Sequence, residues 1–287
     1  ILRMLENFLG AEVFRKGLRD YLLTHQYGNA RTDDLWSALE KSSNQPVTEI
    51  MNTWVKQVGY PYIDIKTSKE YSQSLLTLSQ HRFLYDNLLG SSIEDDSLWQ
   101  IPISISIKGI QNEISLLMTT KSQEVELQEN ISDNESAWFK INSGQTGFYR
   151  VKYDPEGWQK LQEAAESGSL SPVDRLGLQN DAYALVKAGQ LDATQFLSLA
   201  EFYKNETNSS VWSDFSVNLR GLENLVASES FLPEYRTFAQ GLFHKIAANV
   251  GWEAKPDEGH LDSILRTTVL SQIGYYGDKD TLEIAKV

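Results

Sequence analysis

The stretch Trp54-Val-Lys-Gln-Val-Gly-Tyr-Pro-Tyr-Ile-Asp-Ile65 constrains this chain most. A helical pattern stops there and a strand pattern starts. Gly59 can take the positive φ that commonly closes a helix, and Pro61, without an N–H, cannot continue one. Tyr62, Ile63 and Ile65 then open a β-rich segment. The chain therefore reads as α+β and multidomain: helices over 1–59, strands over 60–153 and helices again over 154–287. Its 287 residues suit two or three domains, and 41% hydrophobic with 11% aromatic residues is ample for real cores.

In the first part, Leu2, Leu5, Leu9 and Val13 lie near helical spacing. Phe14, Leu18, Tyr21 and Leu22 form a core-facing stripe over 11–26. Gly28-Asn29 breaks it, and Thr32-Asp33-Asp34 starts a new helix carrying Leu35, Trp36 and Leu39. Pro46 fits the first turn of a further helix capped near Asn44, with Val47, Ile50, Met51 and Trp54 on its apolar face. This packet is too small to stand alone and is expected to belong to something larger.

In the middle part, Ile101, Ile103, Ile105 and Ile107 alternate with Pro102, Ser104, Ser106 and Lys108, which predicts a half-buried strand. Gly109–Asn112 turns it back through Ile114–Met118. Leu75–Leu78, Val125–Leu127 and Phe139–Ile141 supply further strands, so the segment is expected to form a β-sandwich, with the acidic stretch 91–97 an exposed loop. In the last part, Asp154-Pro155 and Ser171-Pro172 mark helix starts. Apolar periodicity recurs over 178–186, 196–202, 215–225, 235–246 and 261–273, with Gly189, Gly251 and Gly274 at helix ends. Antiparallel helix pairs of this kind predict a solenoid-like array.

A net charge of −13 argues against a nucleic-acid or anionic-membrane surface and suits a soluble protein with a positively charged partner or substrate. With no cysteine there is no disulfide, zinc ribbon or thiol nucleophile, which leans towards a cytoplasmic protein. No run approaches the ~20 apolar residues of a membrane span, and no signal peptide is visible. The chain opens at Ile1 inside an apolar pattern and closes at Val287 inside an amphipathic one, both uncapped, which reads as truncation.

The residues offer little chemistry. None of His25, His81, His244 and His260 has another histidine three to five positions away, so local spacing gives no metal site. His25 reads as a solvated helix end. His260 lies in Glu258-Gly-His-Leu-Asp262, where helix-start capping is preferred over a ligand or catalytic pair. Asp174-Arg175 reads as a capping carboxylate and a structural ion pair, and Gly144-Gln-Thr-Gly147 as a turn. There is no G-x-S-x-G, phosphate loop or dinucleotide fingerprint. Four N-x-S/T sequons, at Asn130, Asn134, Asn205 and Asn208, compare with about two expected by chance and carry little weight for secretion. No catalytic, cofactor-binding or metal residue is expected within the chain.

Certain motifs nonetheless resemble a family. Ile1-Leu-Arg-Met-Leu, Tyr27-Gly-Asn-Ala, Thr32-x-Asp34-Leu-Trp36 and Met51-x-Thr-Trp54-x-x-Gln57-x-Gly59-Tyr-Pro61 are similar to the end of the catalytic domain of M1-family zinc aminopeptidases. Gly147-Phe-Tyr-Arg-Val-x-Tyr153-Asp154 resembles the last strand of that family's β-sandwich. Pro172–Asp181, Trp212-Ser-Asp214 and Gly251-Trp-x-x-Lys255-Pro-x-Glu258-Gly-His-Leu-Asp262 resemble its C-terminal helical domain, in the puromycin-sensitive type. The resemblance implies a fragment of an enzyme that uses zinc to remove N-terminal residues from peptides. In that family the H-E-x-x-H ligands, the downstream glutamate, the oxyanion tyrosine and the N-terminus-binding glutamate all precede the segment that Ile1-Leu-Arg-Met-Leu resembles. No catalytic role carries over, and the fragment is expected to be inactive and to hold no zinc, with its first 59 residues, in the absence of the catalytic half, either associating between chains or being less stable than the sandwich. The competing expectation is a free-standing, non-catalytic sandwich-plus-solenoid interaction module.

Overall fold

The computed structural model describes residues 1–70, 73–85, 95–127, 137–256 and 258–286. They form two compact units, Ile1–Leu161 and Gln162–Val287.

The first unit opens with four helices: α1 (Leu2–Leu9), α2 (Ala11–Thr24), α3 (Thr32–Ser43) and α4 (Val47–Val55). The stripe that runs through Leu9 to Val13 in sequence is broken at Gly10, whose φ of +83° turns the chain between α1 and α2. Leu5, Leu9, Trp36, Leu39, Val47 and Met51 make the helical core, with Phe8, Phe14 and Leu35 against it. The only buried residue of α2 is Gly17. A Cβ there would come within 2.5 Å of Ser42 Oγ and 2.9 Å of Leu39 Cδ2, so α2 and α3 approach closely at that point. Phe14 reaches the core, but Leu22, placed on the same stripe, is 59% exposed. Thr32 is the first helical residue of α3 rather than its cap; the Arg31 N–H donates to Asp34 Oδ2 at 2.7 Å. Asn44 does not cap α4. It adopts left-handed geometry (φ +57°) and closes α3, a role asparagine fills because its short side chain tolerates that region. Pro46 itself precedes α4.

Two sheets follow. The first has the order β5-β2-β1-β7, built from β1 (Pro61–Glu70), β2 (Gln73–Arg82), β5 (Ser122–Leu127) and β7 (Arg150–Lys152). β1 and β2 pair antiparallel from Pro61 with Arg82 to Glu70 with Gln73, and β7 returns parallel to β1. The second has the order β4-β3-β6, from β3 (Ile101–Ile107), β4 (Ile114–Met118) and β6 (Phe139–Ile141). Gln80 of β2, fully buried, accepts from the Trp99 N–H at 2.8 Å and donates to its carbonyl at 2.9 Å, linking one sheet to the entry of the other. Tyr153, after β7, bonds the Ile141 backbone of β6. β3 is not half-buried: Pro102 and Ser104 are buried with the isoleucines, because α1 packs against the strand and α4 bonds its entry. The acidic stretch 91–97 is described only from Asp95, where Asp95 and Ser97 are half-buried and Asp96 is exposed.

Gly59 takes the positive φ expected (+92°), but α4 ends earlier, with Lys56 as its cap. The joint is held by side chains instead. The Trp54 indole N–H donates to the Gln100 carbonyl at 2.9 Å, and Thr53 Oγ1 accepts from the Gln100 N–H at 3.1 Å. Gln57 bonds the N–H and carbonyl of Leu98.

Helix α5 (Pro155–Glu166) spans the division between the units. Asp154 caps it through the Gly157 N–H at 2.8 Å and accepts the Thr67 N–H of β1 at 2.6 Å. The second unit continues with α6 (Pro172–Lys187), α7 (Ala193–Glu201), α8 (Ser209–Leu225), α9 (Leu232–Val250), α10 (His260–Tyr275) and α11 (Lys279–Ile284). Packing runs α6 on α7 and α8, α8 on α9 and α10, and α9 on α10. An aromatic chain through Phe196, Phe215, Trp212, Phe243 and Tyr276 forms its core. Gly189 and Gly251 lie at helix ends as expected, but Gly274 is inside α10. Gly277 takes the left-handed turn beyond it.

Candidate functional site

The four histidines lie on different elements. His25 caps the C-terminus of α2 with its ring 5.2 Å from Tyr21. His81 stacks on Tyr62 across β1 and β2, where burial pulls its imidazole below the ordinary value despite the Asp64 charge. His244, on α9, stands 4.0 Å from Asp278, and His260 is the exposed first residue of α10. Among the described residues no three His, Cys, Asp or Glu side chains gather as a metal site requires. The donor set of the described residues does not fit zinc.

The Glu258–Asp262 segment is a helix start. Asp262 Oδ2 accepts the Gly259 N–H at 3.0 Å, and Glu258 pairs with Arg266 at 2.5 Å. Hydrogen bonds from Arg266 and from the Lys255 N–H hold the Glu258 carboxyl below the usual range. These residues border a cavity of about 350 Å³ between the end of α9 and the start of α10. Asp174 bonds Ser171, the cap of α6, as a capping carboxylate. Arg175 finds its partner 31 residues away: its Nε and Nη2 donate to Glu206 at 2.5 and 3.0 Å, while Nη1 donates to the Leu170 carbonyl at 2.5 Å. Burial pushes Glu206 up, but Arg175 and the Asn208 and Thr207 amides outweigh it and leave the carboxyl below the usual range. A second cavity, of about 260 Å³, opens beside this pair and Tyr203. A third, about 550 Å³, lies between α2 and α3 around Lys16, Asp20, Tyr21 and His25.

The motif residues of the helical unit brace it. Gln179, Asn180 and Asn218 donate to the Asp214 carboxylate at 3.1–3.4 Å, joining α6 to α8. The Trp212 indole donates to the Glu206 carbonyl at 2.9 Å. Gly144-Gln-Thr-Gly147 is a turn, and a Cβ at Gly147 would meet the Tyr149 ring at 2.2 Å. Asn208 caps α8 and Asn205 accepts from Lys245; Asn130 and Asn134 lie outside the described residues. Glu206 and Arg266 escaped notice in the sequence because nothing local announces a buried partner; an arginine and an acid eight or 31 positions apart carry no period.

Two family models match. The Peptidase family M1 domain covers residues 1–54, and the ERAP1-like C-terminal domain covers 138–287. Among curated proteins, Aminopeptidase M1 of Arabidopsis thaliana is 35% identical over 297 residues, 99% of this chain and 33% of the relative. Aminopeptidase M1-A of Oryza sativa subsp. japonica is 35% identical over 290 residues, 99% of this chain and 32% of the relative. Puromycin-sensitive aminopeptidase of Caenorhabditis elegans is 32% identical over 288 residues, 98% and 29% respectively. The chain thus spans about a third of the length of these relatives.

Proposed function

The chain belongs to the M1 aminopeptidase family, and on that premise we propose that it is the portion of a zinc aminopeptidase that frames the hydrolytic site rather than the portion that contains it. In this reading 1–59 is the helical end of the catalytic domain, 60–153 a β-sandwich acting as spacer, and 154–287 the first part of a solenoid-like helical domain. The whole enzyme removes N-terminal residues from peptides in the cytoplasm. No helix among the described residues is long and apolar enough to cross a membrane.

One observation carries the proposal. The M1 domain match stops at residue 54, and the described residues that follow braid their carboxylates, amides and arginines into helix caps and braces. Metal-assisted peptide hydrolysis needs a shaped, water-excluding chamber as well as a metal. Side chains committed to caps and braces suit a framing role, while among the described residues the histidine arrangement does not suit a metal. By itself this chain is inactive on peptides. The reading frame ahead of Ile1 tests the proposal: an in-frame H-E-x-x-H is expected, and a native start codon close to Ile1 with no such motif upstream would contradict it.

A further inference from the structure

Pro172 is the only one of the seven prolines that follows a serine or threonine. The Ser171-Pro172 pair lies in the connection from α5 to α6, where Ser171, Pro172 and Val173 are all exposed. Ser171 has φ −62° and ψ 154°, the extended backbone that a following proline favours and that a kinase cleft requires of its substrate. Its hydroxyl caps α6 by accepting the Asp174 N–H at 3.1 Å and donates to Asp174 Oδ2 at 2.7 Å. A cation stands beside this cap. Arg175 Nη1 donates at 2.5 Å to the carbonyl of Leu170, the residue bonded to Ser171. Its Nε and Nη2 are meanwhile held by an acid 31 residues away, Glu206.

We propose that Ser171 is the acceptor of a proline-directed serine/threonine kinase, and that its phosphate takes Arg175 from Glu206. Ser171 Oγ attacks the γ-phosphorus of MgATP. The new O–P bond forms as the bond to the β-phosphate oxygen breaks, ADP leaves, and the hydroxyl proton passes to the kinase's catalytic base. The product carries a charge of about −1.5 to −2 and strong acceptor oxygens. It replaces the hydroxyl that donates to Asp174, so this buried carboxylate then faces a like charge instead of a donor. Arg175 is the cation placed to answer it, through charge-assisted bonds that suit a guanidinium and a phosphate. Buried Glu206 then keeps the Thr207 and Asn208 amides but loses its counter-charge. The turn over 202–208 loosens, and the cavity of about 260 Å³ lined by Arg175, Tyr203 and Glu206 opens. The site lies wholly within the second unit and does not depend on the hydrolytic reading above.

The test uses the purified 287-residue chain, incubated with a proline-directed kinase and MgATP. Mass spectrometry is expected to map stoichiometric phosphate to Ser171. Labelling should be absent from Ser171→Ala and fall to background in Pro172→Ala, which keeps the hydroxyl and its cap; thermal melts confirm that both variants fold. Amide hydrogen exchange then compares the phosphorylated and unmodified chains. Exchange over 202–208 should quicken by about tenfold, the scale of one charge-assisted bond lost from Glu206. The phosphorus resonance of the product should titrate below about 6, the ordinary value for a phosphoserine, because pairing with Arg175 favours the dianion. No incorporation, incorporation at another residue, or equal labelling of Pro172→Ala would overturn the assignment of the acceptor. Unchanged exchange over 202–208, or a phosphate that titrates at or above its ordinary value, would overturn the exchange of partners.

Discussion

Glu206 shows how a single residue can carry a structural load. Its side chain is 2% exposed and Arg175 is 13% exposed, so removing one partner strands a charge. Arg175→Met should cost about 3–5 kcal/mol in urea unfolding at neutral pH. The pH dependence follows from the direction of the Glu206 shift. Its folded value lies below the unfolded one, so the contribution is complete above about 4.3, the ordinary glutamate value, and is lost as pH falls through the lower folded value. The gap between native chain and variant should therefore narrow in acid; a constant gap down to pH 3 would rule out Glu206 as the source. A tighter steric case is Gly147→Ala, where the new Cβ meets Tyr149 at 2.2 Å and Asn142 Oδ1 at 2.9 Å. It should destabilise by about 1–3 kcal/mol in the same assay. Caps at this scale were partly legible: Ser171 and Asp154 read correctly, because Pro after a capping residue is a local signal. Asn44 did not, because asparagine serves equally at helix starts and in left-handed helix ends.

At the scale of elements, α4 ties the helical packet to the sheets together with α1, which packs against β3. Trp54 is 5% exposed, its ring lies 6.5 Å from Trp99 and 6.3 Å from Phe148, and its N–H reaches Gln100. Trp54→Ala should cost about 3–5 kcal/mol and speed hydrogen exchange in α1–α4. Trp54→Phe keeps most of the ring contact but leaves the Gln100 carbonyl unmatched, at about 1–3 kcal/mol. Equal exchange rates in α1–α4 of native and Trp54→Ala chains would show that the packet is held by something else. Element types were read well from the sequence, since periods of 3.6 and 2 are set by the backbone. What covers an element was not: the serines of β3 predict a wet face, and the helices that cover it lie some 50 to 100 positions away. The parallel return of β7 beside β1 is likewise set by contacts between distant segments.

For the whole molecule, the first 59 residues have a core of their own, yet α2 leaves Leu22 and Leu23 more than half exposed and Tyr27 lies fully open beyond it. Exposed apolar side chains close together favour association. Sedimentation should show concentration-dependent self-association, weakened by Leu22→Glu with Leu23→Glu. A strictly monomeric chain whose residues 1–40 exchange as slowly as 99–118 would show the packet to be self-sufficient. The family was legible because the motifs were, and in the helical unit some of those motif residues are packing devices, such as the Asp214 brace. In the function proposed, this portion frames a hydrolytic site and does not contain one. The most direct test is elemental analysis of the purified chain together with turnover of aminoacyl fluorogenic substrates across a sizing column. The expected result is no stoichiometric zinc and no turnover above background; one zinc per chain, co-eluting with turnover, would contradict the framing role.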